Sequence, residues 1–270
     1  MYYSLTFYDE YGSKNTYDDW CLVPTERPSF QPPSFSSNML EIPGRNGLLD
    51  VSTLLTGYPT YGNRIGSWEF LIYNSPRPWY ETYSNILNYL HGQHKKVFME
   101  EEDAYEYEGR FTVDSFTSGK NYSTIQINYE LQPYKISKWS TLEPWKWDPF
   151  NFQTGVIISD FYSNLIVDTT QGTEEFQQIL NSATVDEKYR QELIGKMVVC
   201  PTFKISSEDG SGLDLWVEND ELGISAKKHL NDGDTKVPEF IFSMMHPNNN
   251  IRVAAKGKGT VSIEFYIGSL

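Results

Sequence analysis

The sequence predicts a mainly β protein with two β-sandwich domains, the first carrying a single helix and a protruding β-hairpin. Three observations support this fold class. Apolar and polar residues alternate along many short segments, which is typical of strands with one buried face. Aromatic residues, which favour strands, make up 15% of the chain. One stretch of the first half repeats its apolar residues at the helical spacing of three or four.

Before that stretch, the pattern predicts two strands joined by irregular chain. An opening strand runs through Tyr3, Leu5 and Phe7, and a second strand covers residues 68–72. The connection at residues 25–35 contains three prolines and is predicted to be extended and exposed. Beyond it, Gly44 and Gly47 flank a tight turn. Regular structure is predicted to resume over residues 48–55.

The helix is predicted near residues 79–91. Its apolar residues fall on one face because they recur every three or four positions, and Gly92 favours its end. The apolar residues of this face are Trp79, Tyr83, Ile86, Leu87 and Leu90.

After the helix, the period falls to two and predicts a hairpin from Lys96 to Val113. Four consecutive acidic residues, Glu100 to Asp103, lie at its tip. They lack the staggered spacing and the glycine turn of a calcium loop. We therefore interpret them as a solvated tip whose like charges protect an edge from unwanted pairing.

The domain boundary is predicted near Lys138, so that the domains span residues 1–137 and 138–270. Residues 135–155 carry two prolines and three tryptophans without a sustained period, as expected of a junction packed by aromatic rings.

The second domain is predicted to be all β, because short strands alternate with polar turns. A hairpin is predicted across Gly257 to Gly259, and part of residues 173–196 is predicted to be helical. The predicted strands are residues 156–159, 164–168, 197–206, 213–217, 239–244, 251–255 and 260–267.

Charge and composition exclude several classes of function. The net charge is −14, and no basic cluster suited to stable nucleic-acid binding interrupts it. No apolar run approaches the ~20 residues of a membrane span, so membrane insertion is not expected. The first residues resemble a strand rather than a signal peptide, which predicts synthesis in the cytoplasm.

No motif predicts an enzyme, a metal site or a bound cofactor. Nucleotide-binding and nucleophile-elbow motifs are missing from the sequence. His91 and His94 could share a metal, but a helix C-terminus favours histidine on dipole grounds alone. Cys21 and Cys200 are predicted to be free, buried thiols. Paired acids for glycoside hydrolysis remain an open but disfavoured alternative.

Tryptophans supply a second hypothesis, a saccharide-binding surface. Their rings could stack on sugars in a groove of the sandwich, although burial of the rings at the junction or in a strand is the favoured explanation. The candidates are Trp139, Trp145, Trp147 and Trp216, of which Trp216 is the predicted sugar contact.

The order of several short motifs resembles the distal tail protein (Dit) family of long-tailed phages and prophages. They are the PGRNG turn at Pro43 to Gly47, Arg64 before a strand, the helix near residues 86–90, the hairpin with Tyr107 and Arg110, QPY at Gln132 to Tyr134, and the closing residues 259–270. Residues 173–196 do not align with the family pattern.

The resemblance implies structural work at the tip of a phage tail. Family members form a ring, typically of six subunits, through the N-terminal domain, while a galectin-like C-terminal domain faces outward. The ring joins the tail tube to a tail-tip (tail-associated lysin-like) protein and to receptor-binding or baseplate proteins during host attachment. This chain is thus expected in the virion tail tip as a non-enzymatic homo-oligomer. The alternative is a carbohydrate-binding protein that recognises host cell-wall saccharide.

Intersubunit contacts are predicted along the hairpin at residues 96–113, because an exposed ribbon with aromatic residues on one face is an association surface. The predicted contact residues are Glu100, Glu101, Glu102, Tyr105, Tyr107 and Arg110.

Overall fold

The computed structural model describes residues 3–72, 75–118, 122–144, 157–170 and 175–270. Within them the secondary structure is mostly strand, so the predicted fold class is confirmed. The chain divides into two compact units, Met1–Ile136 together with Leu270, and Ser137–Ser269. None of the described helices is long and apolar enough to cross a membrane.

Unit 1 is built on an antiparallel sheet with the strand order β2-β1-β7-β8-β10-β6-β3. A further short strand, β9, pairs with β10, and β11 contains the boundary between the units. The elements are β1 Leu5–Asp9, β2 Gly12–Asn15, β3 Leu22–Pro24, β4 Met39–Leu40, β5 Leu49–Asp50, β6 Arg64–Ile72, α1 Trp79–Leu90, β7 His94–Met99, β8 Tyr105–Val113, β9 Thr117–Ser118, β10 Ser123–Leu131 and β11 Lys135–Ser140.

The core of unit 1 lies against one face of this sheet. Along β10 every second residue is buried, because successive side chains of a strand point to opposite faces. Helix α1 has the predicted bounds and buries Ile86 and Leu90 in the same core. Gly92 follows it at φ +73°, a conformation that glycine adopts without strain.

The hairpin predicted from Lys96 to Val113 forms, but it does not protrude. Its strands β7 and β8 lie inside the sheet, where β7 pairs with β1 and β8 pairs with β10. Its aromatic face is buried, with Phe111 fully covered. The hairpin that leaves the sheet is instead β4–β5, which forms a two-stranded sheet of its own.

Unit 2 consists of two four-stranded antiparallel sheets, β12-β19-β14-β17 and β13-β18-β15-β16, around one apolar core. The elements are α2 Ile158–Tyr162, β12 Leu165–Asp168, β13 Gln177–Asn181, α3 Glu187–Ile194, β14 Thr202–Ser207, β15 Leu213–Asn219, β16 Ile224–Leu230, β17 Gly233–Lys236, β18 Ile251–Lys256, β19 Lys258–Glu264 and β20 Tyr266–Ser269.

The hairpin predicted across Gly257 to Gly259 is wrong. Strand β18 belongs to one sheet and β19 to the other, so the chain crosses between the sheets here. Gly257 has φ +126°, and a Cβ at this position would lie 2.6 Å from Cδ2 of Leu213. The crossing between the sheets therefore requires glycine at position 257, whereas the sequence suggested that this glycine formed a hairpin turn.

Two other predictions for unit 2 also need correction. The strand expected at residues 156–159 is replaced by α2, which begins at Ile158; residue 156 lies outside the described residues. The strand expected at residues 239–244 is only a bridge between Phe242 and Val199. Residues 173–196 contain both a strand, β13, and the predicted helical part, α3.

Candidate assembly surface

A long segment of unit 1, residues 34–62, lies between β3 and β6 and outside the large sheet. We call this segment the arm. Its two ends are joined by backbone hydrogen bonds. The N–H of Gly62 donates to the carbonyl of Ser34 at 2.8 Å, and that of Ser36 donates to the carbonyl of Thr60 at 3.0 Å. The arm therefore starts and ends at one fixed point.

The arm grows from the proline-rich residues 25–33, which the sequence predicts to be exposed. Most of them are exposed, as predicted, but two contacts hold this stretch against the sheet. Phe30 stacks on Tyr107 with ring centres 3.8 Å apart, and Nε1 of Trp68 donates to the carbonyl of Ser29 at 2.9 Å. Because each proline lacks a backbone N–H donor, side-chain contacts hold this stretch in place.

Arg64 secures the other side of the base. Its side chain is buried, with Nε donating to the carbonyl of Pro133 at 2.8 Å and Nη1 to that of Gln31 at 2.9 Å. Its guanidinium also lies 5.4 Å from the ring centre of Tyr107. These contacts account for an arginine as the first residue of β6, where the sequence offered only a family likeness.

The arm itself carries the β4–β5 hairpin, with Met39 opposite Asp50 and Leu40 opposite Leu49. The PGRNG residues form its tip, as the sequence predicts. Gly44 and Gly47 have φ +83° and +79°, values that favour glycine.

Apolar side chains are exposed along the arm. Leu55 is 97% exposed and Leu54 76%. Of the seventeen large apolar residues that are exposed in the described parts of the chain, six lie in the arm: Phe35, Met39, Leu40, Leu48, Leu54 and Leu55. Such a concentration marks an interaction surface. Sequence reasoning missed it, because the leucines of residues 48–55 suggested buried regular structure.

The acidic tip of the β7–β8 hairpin is a single 3₁₀ turn, Glu100–Glu102. Each glutamate accepts a hydrogen bond from a different segment of unit 1. The pairs are Asn15 with Glu100, Arg27 with Glu101, and Lys135 with Glu102. The tip is thus joined to the arm root through Arg27.

The predicted contact residues separate into exposed and buried groups. Tyr107 is buried in the core, and burial raises its pKa to about 12, so it does not contact a neighbour. Tyr105 is half-buried, with the Lys135 ammonium 4.5 Å from its ring centre. Glu100, Glu101 and Arg110 are exposed. An intersubunit contact through these exposed members stays a prediction.

Trp216, the predicted sugar contact, lies on the outer face of the β13-β18-β15-β16 sheet. Its strand β15 alternates buried and half-buried residues, and Trp216 is half-buried. Nε1 donates to Ser225 Oγ at 3.0 Å, and the Lys227 ammonium lies 4.2 Å from the ring centre. Trp139 is half-buried in β11, while Trp145 and Trp147 fall outside the described residues.

The histidines and cysteines hold structural positions. His91 caps α1, and its Nδ1 accepts from the N–H of Val113 at 3.1 Å. His94 lies 3.7 Å from Glu108. Across the described ranges no three metal-ligating side chains cluster. Cys21 and Cys200 are free thiols, and both are half-buried rather than buried.

Comparison with known proteins gives the same architecture. No protein-family model and no curated protein sequence matches the chain. Among solved structures, it matches the SPP1 Dit (gp 19.1) protein with a TM-score of 0.59, covering 100% of both chains at 13% sequence identity. The chain has the Dit fold. The likeness of short motifs to distal tail proteins is thereby confirmed at the level of fold.

The SPP1 Dit protein is described as a paradigm of the hub adsorption apparatus of phages that infect Gram-positive bacteria. Because the match runs over the whole length of both chains, the Dit fold includes both units of this protein. At 13% identity the correspondence lies in the path of the chain rather than in its side chains.

Proposed function

We propose that this protein is a structural hub of a phage tail tip. Copies of it form a ring of six at the distal end of the tail tube, and the ring connects the tube to tail-tip and receptor-binding proteins during host attachment. The full-length match to a hub protein carries this proposal. The role is non-catalytic, and the protein belongs in the virion after synthesis in the host cytoplasm.

The exposed arm supports self-association. Six large apolar side chains within residues 34–62 are exposed in the isolated chain, and a closed ring of identical copies would cover them. Unit 1, which carries the arm, is the ring-forming part in this proposal. Unit 2 is the galectin-like platform for the receptor-binding or baseplate partners.

The charge of the chain suits a conduit for DNA. With 36 acidic against 22 basic side chains, the ring repels phosphate and lets a genome pass without retaining it. A ring wall dominated by lysine and arginine would contradict this part of the proposal.

Native mass spectrometry and negative-stain electron microscopy of the purified protein test the ring. We expect a six-subunit mass and particles with a central hole. A monomer across the micromolar range would overturn the proposal. The Leu54→Ser/Leu55→Ser double variant should lose the ring while remaining folded. Ile166→Ser is the matched control, because Ile166 is 72% exposed but lies in unit 2, and it should keep the ring.

Saccharide binding at Trp216 is a second candidate. It is supported by the position of Trp216 on an outer sheet face, where its half-buried indole has a second aromatic ring, Phe176, beside it with ring centres 5.9 Å apart. Glycan-array binding of the wild type and its loss in Trp216→Ala would support this function. Absence of binding by the wild type would remove it.

A further inference from the structure

A second apolar surface of unit 1 lies at the start of α1. Trp79 packs on Phe116 with ring centres 4.1 Å apart, and Tyr83 meets Phe116 edge-on at 4.9 Å. Tyr80 meets Trp79 edge-on at 5.9 Å. We call these four residues the aromatic patch. Trp79 is 40% exposed and Tyr80 54%, so the patch presents ring surface to its surroundings.

The symmetry of a ring requires two different surfaces on each copy. A ring of identical subunits is closed by head-to-tail contacts, in which one surface meets a different surface of the next copy. The arm supplies one apolar surface. The aromatic patch supplies the other, because its rings touch one another and include a tryptophan, a residue type enriched at the centres of interfaces.

The exposed apolar area of the two surfaces covers part of what such a contact needs. The six apolar side chains of the arm expose on the order of 600 Å² and the patch on the order of 300 Å², compared with roughly 800 Å² per partner in a stable interface. Polar neighbours of both surfaces would supply the remainder.

Exposed charges of both signs lie beside both surfaces. Glu41, Arg45 and Asp50 are exposed on the arm, and Arg77, Glu81 and Asp114 are exposed beside the patch. Opposite charges can therefore meet when the arm lies across the patch. Such pairs at the rim fix register more than they add affinity.

We propose that the arm of one copy docks on the aromatic patch of the next copy, with Leu54 and Leu55 against Trp79 and Tyr80. This rests on the proposed ring. It makes the arm an incomplete structure until a second copy is present, and it makes the first turn of α1 a recognition element as well as a core helix.

Disulfide trapping tests the contact in the full-length chain with Cys21 and Cys200 replaced by serine. The single variants Leu55→Cys and Tyr80→Cys are mixed and oxidised. We expect a disulfide-linked dimer in the mixture and none from either variant alone. The double variant Leu55→Cys/Tyr80→Cys should give a ladder ending at the ring. Leu55→Cys mixed with Tyr11→Cys is the control, because Tyr11 is 88% exposed in unit 1 but lies outside the patch, and it should stay unlinked.

Native mass on the same samples separates the outcomes. A ring without the Leu55–Tyr80 link would overturn the docking site and leave the ring standing, whereas a monomer would overturn both. Linkage of Leu55→Cys with itself would show a two-fold arm-to-arm contact and also overturn the proposal. As a readout without cysteine, Tyr80→Ser should raise the concentration at which the ring dissociates about tenfold, as for loss of an interface hot spot. An unchanged dissociation concentration would count against the patch.

Discussion

Arg27 donates from Nη2 to Oε2 of Glu101 at 2.6 Å, which joins the proline-rich root of the arm to the acidic turn between β7 and β8. The two side chains are 66% and 44% exposed. An ion pair this exposed contributes little to folding, because water already solvates both charges. Charge on this turn can therefore be changed without unfolding the protein, and its role in assembly can be measured separately.

The Glu100→Gln/Glu101→Gln variant tests the predicted contact of the acidic turn. Each exposed pair contributes at most about 1 kcal/mol, so we expect only a small decrease in the free energy of unfolding. We expect the ring to dissociate at a lower NaCl concentration than the wild type, as measured by analytical ultracentrifugation. Identical salt dependence of the two proteins would exclude this turn from the contact.

Acid sensitivity is expected from the pair of Asp9 and Lys95. Lys95 is buried and donates to Asp9, and this hydrogen bond lowers the pKa of Asp9. Because the folded-state pKa is depressed, the pair stabilises the protein above the usual carboxyl pKa of about 4, and that stability is lost as the pH falls through the lowered value.

We therefore expect the melting temperature of the wild type to fall more steeply below about pH 4 than that of Asp9→Asn. At neutral pH the variant should melt at a lower temperature, because its buried ammonium has lost a carboxylate. Exposed Glu26→Gln is the control and should follow the wild type. Parallel melting curves for the wild type and Asp9→Asn would contradict the role of this pair.

The crossing between the sheets of unit 2 gives a prediction for glycine. Gly257→Ala should destabilise unit 2 more than Gly210→Ala. Both positions have positive φ, which costs an alanine about 1–2 kcal/mol, but only the new Cβ at 257 meets Leu213, which is 1% exposed and closely packed. Chemical denaturation measures the difference, and equal losses in the two variants would show that the core accommodates the methyl group.

His229 should titrate above its usual range. Its Nδ1 lies 2.8 Å from Oδ1 of Asp214 and its Nε2 lies 2.9 Å from the carbonyl of Ser211, and these partners, Asp214 first, raise the pKa of His229. Its stabilising contribution is full below about pH 6.5 and is lost as the pH rises through the raised pKa. NMR titration should show that Asp214→Asn lowers this pKa; the same value in both proteins would refute the pairing.

Local sequence patterns predicted the elements whose buried residues lie close together in the sequence. Helix α1 has the predicted bounds because its apolar spacing and Gly92 lie within one short stretch. The strand predicted at residues 68–72 also formed, as part of β6, which lies inside the sheet between β10 and β3. Strand β16 gave no signal, because it lies at a sheet edge and most of its side chains are exposed.

Positions that depend on distant partners were not predictable. Gly257 and Gly259 favour a tight turn locally, yet β19 pairs with β14 and β12 rather than with β18. Tyr107 was expected on an exposed ribbon, because nothing near it in sequence shows that Phe30 covers its ring. The arm was missed for the opposite reason, since Leu54 and Leu55 stay exposed among the described residues.

The arm connects β3 and β6, two strands that pair with each other, with Leu22 opposite Ile72. Its base is closed by the hydrogen bond between Ser34 and Gly62. Closing a longer loop on such a base costs only about 0.6 kcal/mol for each doubling of its length. Insertions, deletions or whole replacements in this segment can therefore accumulate during evolution without disturbing the sheet. Related chains can in this way come to associate with different geometry while folding alike, and an engineer can exchange the segment as a cassette.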